Sequence, residues 1–351
     1  MTRNHAALLV YGGAAVLLFG AITQRTCSQG DNYAGLRARL SPRLAVGDLS
    51  GLPGDQRRAF TETRHFKRLG VPGQGQWLGD DTEPGQTVAQ FLLSGAPRPT
   101  PERRTLVLRP MGPGGRSGGP DLEVLRQYTA VFFQLPVVVR PGPDRLDPAI
   151  GARVHPRTER RQMHARDVLR VLRRSLRPDS FAAVAVTPTD LFPADGWDHV
   201  LGLASLRHRV GVFSYARLAP YPLGQSRALR RRRGLRWRSL NVLTHETGHI
   251  FGLRHCVYYQ CNMNGSHTLS QSDHSPLRLC PVCLRKLQIA IGFDVRVRYE
   301  ALQRFYGQHG LWRNERWVSR RLAYIRGRLP SRLVPRLGQL PAGGEPRARL
   351  D

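Results

Sequence analysis

The sequence predicts a mixed fold in which helices cover a largely parallel β-sheet, and three observations predict it. Between residues 105 and 187, apolar segments of strand length alternate with segments of helical spacing in the order β-α-β-α-β. The chain has 351 residues and 40% hydrophobic content, enough to bury a substantial core, so this is a folded protein and not a charged tail carrying a motif. No internal repeat divides it into an array.

Taken in order, residues 105–109 read as the first strand. After a glycine-rich turn, Pro120 opens a helix whose Leu122, Leu125, Tyr128 and Phe132 share one face. Residues 135–140 are again strand-like. Residues 161–176 carry Ala165, Val168, Leu169, Leu172 and Leu176 on one stripe and read as the second helix, followed by a third apolar strand over 181–187. Residues 209–215 alternate in character and arrive after a loop with no helix of its own, a placement that suits an antiparallel strand at the sheet edge.

The flanks differ in composition. Residues 6–23 are uncharged and almost wholly apolar behind Arg3, interrupted by Tyr11 and three glycines. That run sits at the lower edge of what spans a bilayer, exceeds the usual signal-peptide core, and is followed by no small-x-small cleavage site. A single membrane anchor over residues 1–24 is the first expectation, and a cleaved signal followed by secretion is the alternative. Arg25, Arg37, Arg39 and Arg43 behind it vote weakly for a cytoplasmic main domain. Residues 25–62, rich in Pro, Gly, Ser and Arg, read as a stalk, and residues 326–351 as a disordered basic tail, leaving 63–325 for the main domain.

The formal net charge is +29, and lysine occurs only at Lys67 and Lys286, so the excess is arginine. Such a field attracts nucleic acid, lipid headgroups or acidic peptides. Because the charges run the whole length, a solvated arginine-rich surface is the simpler reading. Of five cysteines, Cys27 stands alone while Cys256, Cys261, Cys280 and Cys283 cluster, a distribution that suggests metal before a disulfide framework.

Chemistry concentrates in the segment His245-Glu246-Thr247-Gly248-His249-Ile250-Phe251-Gly252-Leu253-Arg254-His255. On a helix, His245 and His249 lie one turn apart and project from the same face, able to share one zinc ion. Gly252 can adopt a backbone conformation closed to other residues, turning the chain out of the helix and bringing His255 round as a third ligand. Three neutral histidines leave one open position for water, whose pKa zinc lowers from about 15.7 to about 7. Glu246, beside the first ligand, is placed to take the water's proton and pass it to a leaving amine. A purely structural three-histidine site needs no such glutamate. The cysteines follow at once, spaced C-x4-C and C-x2-C, and resemble the paired thiolate knuckles of a closed structural zinc. Two disulfides are the alternative if the domain is exported. His199, His208, His267 and His274 are nearby imidazoles that read as solvated loop residues.

The long zinc motif running straight into Cys256, Cys261, Met263, Cys280 and Cys283 resembles the archaemetzincin family, as do residues 190–197 and 210–217. The resemblance implies an α+β zincin-like metzincin fold with a mixed, mainly parallel sheet, an active-site cleft and a C-terminal subdomain carrying a second zinc. It implies a zinc metalloprotease domain over 63–325 in which His245, His249 and His255 hold the catalytic zinc and Glu246 is the general base. Met263 would form the methionine turn beneath that site, and Cys256, Cys261, Cys280 and Cys283 would hold the second zinc. The substrate would be a peptide or protein, paired as an extended strand with the sheet edge, for which residues 209–215 are the candidate. Two other functions compete. A zinc-stabilised binder of nucleic acid or anionic surfaces rests on the charge and on Arg230, Arg231, Arg232, Arg233, Arg236 and Arg238 around Trp237. A pseudoenzyme of the same fold would bind peptide without cutting it.

Overall fold

The computed structural model describes residues 41–61, 64–70, 72–81, 83–112, 119–142, 147–218 and 228–328, with the side chains of 228–233 outside that description. Eight strands are described: β1 Thr105–Pro110, β2 Val137–Val139, β3 Ala152–Val154, β4 Arg161–His164, β5 Ser180–Thr187, β6 Asp190–Phe192, β7 Gly202–Ser205 and β8 Val210–Ser214. The main sheet has the order β2-β1-β5-β8-β7, and a smaller one the order β3-β4-β6. In the main sheet β2, β1, β5 and β8 are mutually parallel, and only β7 runs antiparallel. The central strand β5 is buried along its whole length, as its unbroken apolar run requires of a strand covered on both faces.

The pleat sorts its side chains between two layers. Leu106, Leu108, Ala182, Val184, Val186 and Phe213 share a core with Leu240, Leu243 and Ile250 of a long helix, Ala228–Ile250. Val107, Ala183, Ala185, Val210 and Val212 face the other way, onto Val168, Leu169 and Leu172 of the helix Ala165–Arg174. In chain order the helices are α1 Pro42–Ala45, α2 Gly54–Phe60, α3 Trp77–Asp80, α4 Val88–Leu93, α5 Leu122–Phe133, α6 Ala165–Arg174, α7 Ala228–Ile250, α8 Leu269–Ser272, α9 Pro281–Ile291, α10 Val295–Gln308 and α11 Trp312–Ile325. Helix α5 begins where Asp121 accepts from the backbone N–H of Glu123 and Val124, next to the expected Pro120.

Several expectations are corrected. The stripe over 161–176 is not one helix: its first residues form β4, where Met163 pairs with Leu191 and Gln162 Nε2 donates to Asp190 Oδ2 at 2.9 Å. Residues 209–215 are not the edge. All five residues of β8 are buried because both sides of the strand are paired, and the antiparallel edge is β7, too short and too evenly half-buried to show a pattern in sequence. The stretch expected as a stalk is folded over residues 41–61. Ala59 and Phe60 are buried, and Arg321 of α11 donates to the carbonyls of Arg58, Ala59 and Thr61 at the end of α2. Nor is all the arginine on the surface, since Arg298 and Arg321 are fully buried.

The membrane assignment is corrected as well. Among the described residues no helix is long and apolar enough to cross a membrane, so the membrane anchor and the transmembrane character expected of the chain find no support. The segment 6–23 on which they rested, Cys27, and the tail from 329 onward lie outside the described residues.

Candidate metal centre

Helix α7 carries His245, Glu246 and His249 in its last two turns, and the chain leaves it through Gly252 at φ +85°. A left-handed residue is required there because Gly252 N donates to His249 O at 2.9 Å and Leu253 N to Gly248 O at 3.1 Å, closing the helix end. A side chain at 252 would also lie 2.5 Å from Ala96 Cβ. Beyond the turn, His255 comes back beside the other two rings, at centroid distances of 5.3 Å from His245 and 5.0 Å from His249.

All three imidazoles are oriented the same way. Nδ1 of His245 meets Asn262 O at 2.8 Å, that of His249 meets Leu253 O at 2.7 Å, and that of His255 meets Glu83 Oε1 at 2.8 Å. Each partner accepts hydrogen bonds only, so each Nδ1 carries the proton and each Nε2 of a neutral ring presents a lone pair. His245 Nε2 and His249 Nε2 nevertheless stand 3.0 Å apart. Two lone pairs at that separation repel unless a cation lies between them, and the three rings offer ligand atoms all within 4.8 Å of one another. The donor set therefore fits a divalent ion such as zinc, whose bonds to imidazole nitrogen are about 2.0–2.1 Å. Burial holds His245 in the neutral form, lowering its pKa to about 4, and likewise holds His249 well below the usual imidazole range.

Glu246 points from the same helix toward the sheet edge. Its carboxylate lies so near the backbone of β7 that a Cβ on Gly202 would be 2.5 Å from Oε1. Only 7% of its surface is exposed, and burial pushes its pKa up to about 8. Met263 is fully buried under the helix at Gly248, where a Cβ would lie 2.6 Å from its Sδ. The sequence singled out Met263 by resemblance alone; the physical signal is its place against Gly248, the glycine between the two helical histidines.

The cysteines form a second cluster. The four Sγ atoms of Cys256, Cys261, Cys280 and Cys283 lie within 4.8 Å of one another, all buried, and no disulfide joins them. Cys256 Sγ is 3.5 Å from Cys280 Sγ, and Cys280 N donates to Cys261 Sγ at 3.2 Å. Burial opposes ionisation of Cys256, but the thiols of Cys261, Cys280 and Cys283 turned toward it hold it well below the usual thiol range. Cys280 caps α9, which begins at the expected Pro281. Asn264 Nδ2 ties the carbonyls of Cys256 and Tyr259 together at 2.6 and 2.9 Å.

The other histidines stay apart from both clusters. His199 lies against Asp198, His208 against Arg173 and Ser205, His267 against Asp81, and His274 on Ser270 O. Sequence reasoning missed Glu83, Trp77, Gln86 and Asn262, because nothing in the chain near them marks metal chemistry.

The layered fold and the histidine cluster at the end of α7 define a candidate metal-binding protein. The sequence model of peptidase family M54 matches residues 145–289. The chain is 36% identical over 268 residues to archaemetzincin-2 of Macaca fascicularis, covering 68% of this chain and 74% of the relative, and 35% identical to human archaemetzincin-2 over the same shares. An archaemetzincin crystal structure from Archaeoglobus fulgidus, complexed with malonate, aligns over 52% of this chain and 99% of that one at 26% identity and a TM-score of 0.40. The chain belongs to the archaemetzincin family, and as such it is a zinc metallopeptidase of zincin-like α+β fold.

Proposed function

We propose that the chain hydrolyses peptide bonds at a zinc held by His245, His249 and His255, with Glu246 as general base, and that Cys256, Cys261, Cys280 and Cys283 hold a second, structural zinc. The observation that carries this reading is the pair of Nε2 atoms 3.0 Å apart in the last turns of a helix whose residue next to His245 is a buried glutamate. Zinc bound there would supply a Lewis acid, able to acidify water and polarise a substrate carbonyl. Glu246 would accept the proton of an attacking water and deliver it to the departing amine, its carboxyl group shielded from bulk solvent by burial. The outer edge of β7, which no other strand among the described residues pairs, is the surface onto which an extended peptide would add as a further strand, beside Glu246 and in place of residues 209–215. The four thiols, with no open position once a metal is bound, would brace the loop containing Met263 against α9. The peptidase unit is proposed over 63–325, extended by residues 41–61, which pack on its helices.

The rival reading as an anionic-surface binder gains nothing from the arginines near Trp237 that are described. Arg236 donates to His309 O, and Arg238 is bound to Asp273 at 2.7 and 2.6 Å. Glu246→Gln should keep two zinc ions per chain and the wild-type melting profile while losing hydrolysis in a peptide-library digest. Hydrolysis at the wild-type rate would remove Glu246 from the mechanism, and a chain that never cleaves peptide under any metal loading would be a pseudoenzyme.

A further inference from the structure

The segment that precedes the family-matched residues 145–289 reaches the histidine cluster and is clasped to it. At one end Gln271 Nε2 donates to Gly75 O at 2.7 Å, and Trp77 N donates to Gln271 Oε1 at 3.2 Å. At the other, Gln86 Nε2 donates to Gly252 O at 3.1 Å, while Gln86 Oε1 accepts from Arg254 N at 3.2 Å and from the buried Lys286 Nζ at 2.9 Å. The turn that delivers His255 is therefore held by side chains far upstream of it in sequence. Between these ties, Glu83 Oε1 accepts from His255 Nδ1 at 2.8 Å and from Trp77 Nε1 at 2.9 Å. The Trp77 ring meets His255 edge-on at 5.4 Å, and its other side lies where Gly265 leaves room.

The three histidines are not held alike. His245 and His249 ride on a helix and donate to backbone carbonyls, whereas His255 sits on a loop and donates to a carboxylate with 13% of its side chain exposed. A ring on a loop has the most rotational freedom to lose on ligation, and a carboxylate partner fixes its tautomer and plane while making Nε2 a stronger donor. It also places a negative charge beside an ion that three neutral ligands leave uncompensated.

We infer that Glu83 is a positioning residue of the histidine metal centre, a carboxylate that orients His255 and raises the site's affinity for zinc. The inference rests on the reading that His245, His249 and His255 hold the ion. Losing such an outer partner lowers metal affinity by about 10–100-fold. Glu83→Gln preserves size and hydrogen-bond acceptor but removes the charge; Glu83→Ala removes both.

The test is zinc affinity of the full chain by chelator competition, with the four-cysteine ion followed separately through its thiolate absorbance. Glu83→Gln should weaken the histidine site about tenfold and Glu83→Ala by up to about 100-fold, with the cysteine site and the melting of the metal-free protein unchanged. If both variants bind zinc as tightly as wild type while His255→Ala releases it, the role given to Glu83 is wrong and the site assignment stands. If Glu83→Gln destabilises the metal-free chain without changing affinity, Glu83 is a purely structural residue and the inference fails. If His255→Ala holds that ion undiminished, the underlying site assignment fails instead. Should Glu83→Ala not fold, Glu83→Gln alone decides.

Discussion

Substituting Gly248 by alanine isolates the contact between the motif helix and the methionine beneath it. In a helix interior, Gly→Ala ordinarily stabilises by about 1 kcal/mol, because glycine loses more backbone entropy on folding. Gly234 lies on the same helix with no atom within 4 Å of a would-be Cβ, so Gly234→Ala should show that gain in full. At Gly248 the new Cβ falls 2.6 Å from Met263 Sδ and 3.1 Å from its Cε. A thioether is flexible, but Met263 is fully buried, and its neighbour Asn262 accepts from His245 Nδ1, so displacement runs directly into the histidine cluster. Overpacking of this kind costs about 1–3 kcal/mol. Set against the gain of about 1 kcal/mol, Gly248→Ala should be neutral to about 2 kcal/mol destabilising, and its midpoint should fall below that of Gly234→Ala by roughly 2–4 °C per kcal/mol of difference. Adding Met263→Ala removes the obstacle, and Gly248→Ala in that background should recover the gain seen at Gly234. Thermal melts of wild type, Gly248→Ala, Met263→Ala and the double variant measure the coupling, with Gly234→Ala as the reference. Equal stabilisation by Gly234→Ala and Gly248→Ala, with no coupling to Met263, would refute a tightly fixed methionine under the helix.

Two further outcomes follow from burial. Serine can replace Cys280 as the cap of α9 but supplies no thiolate, so Cys280→Ser should lower the zinc count from two to one, reduce thermal stability and lower activity through the loop of Met263. Wild-type melting with two zinc ions retained would show that the cysteines do not brace the fold. His65, packed edge-on against Trp317 and Tyr324, has its pKa lowered to about 3 by burial and by Arg321, Arg320 and Arg278. The folded state thus binds its proton more weakly than the unfolded chain, so the associated stability is full above pH about 6.5 and drains as pH falls toward 3. His65→Leu should show a shallower loss over that window in denaturant titrations, and parallel losses in the two proteins would contradict the assignment.

The two candidate clusters were legible because their residues are close in sequence: one helix turn separates His245 from His249, one glycine turn brings in His255, and the cysteines fall in two short pairs. Local geometry alone joins such residues, so spacing carries the information. The sheet was legible where apolar runs are long, as in β5, and illegible where a strand is brief and half-buried, as in β7, since four residues show no period. What sequence could not show is what only tertiary packing creates. Glu83 meets His255 across 172 positions, and Gln86 meets Lys286 across 200. A glutamate in a polar loop looks like any solvated glutamate until the fold sets it on an imidazole. The same applies to Arg321, which composition assigns to the surface and packing sets on the carbonyls of α2. The three histidines are thus specified by a short motif, whereas contacts that hold His255 in place come from a segment the motif does not include. A family match confined to 145–289 therefore leaves out one of the three groups on which the histidines are oriented. Residues 75–81 and 83–86 hold the histidine cluster as the turn at Gly252 does, and a chain trimmed to the matched region would keep all three histidines while releasing His255 from its acceptor.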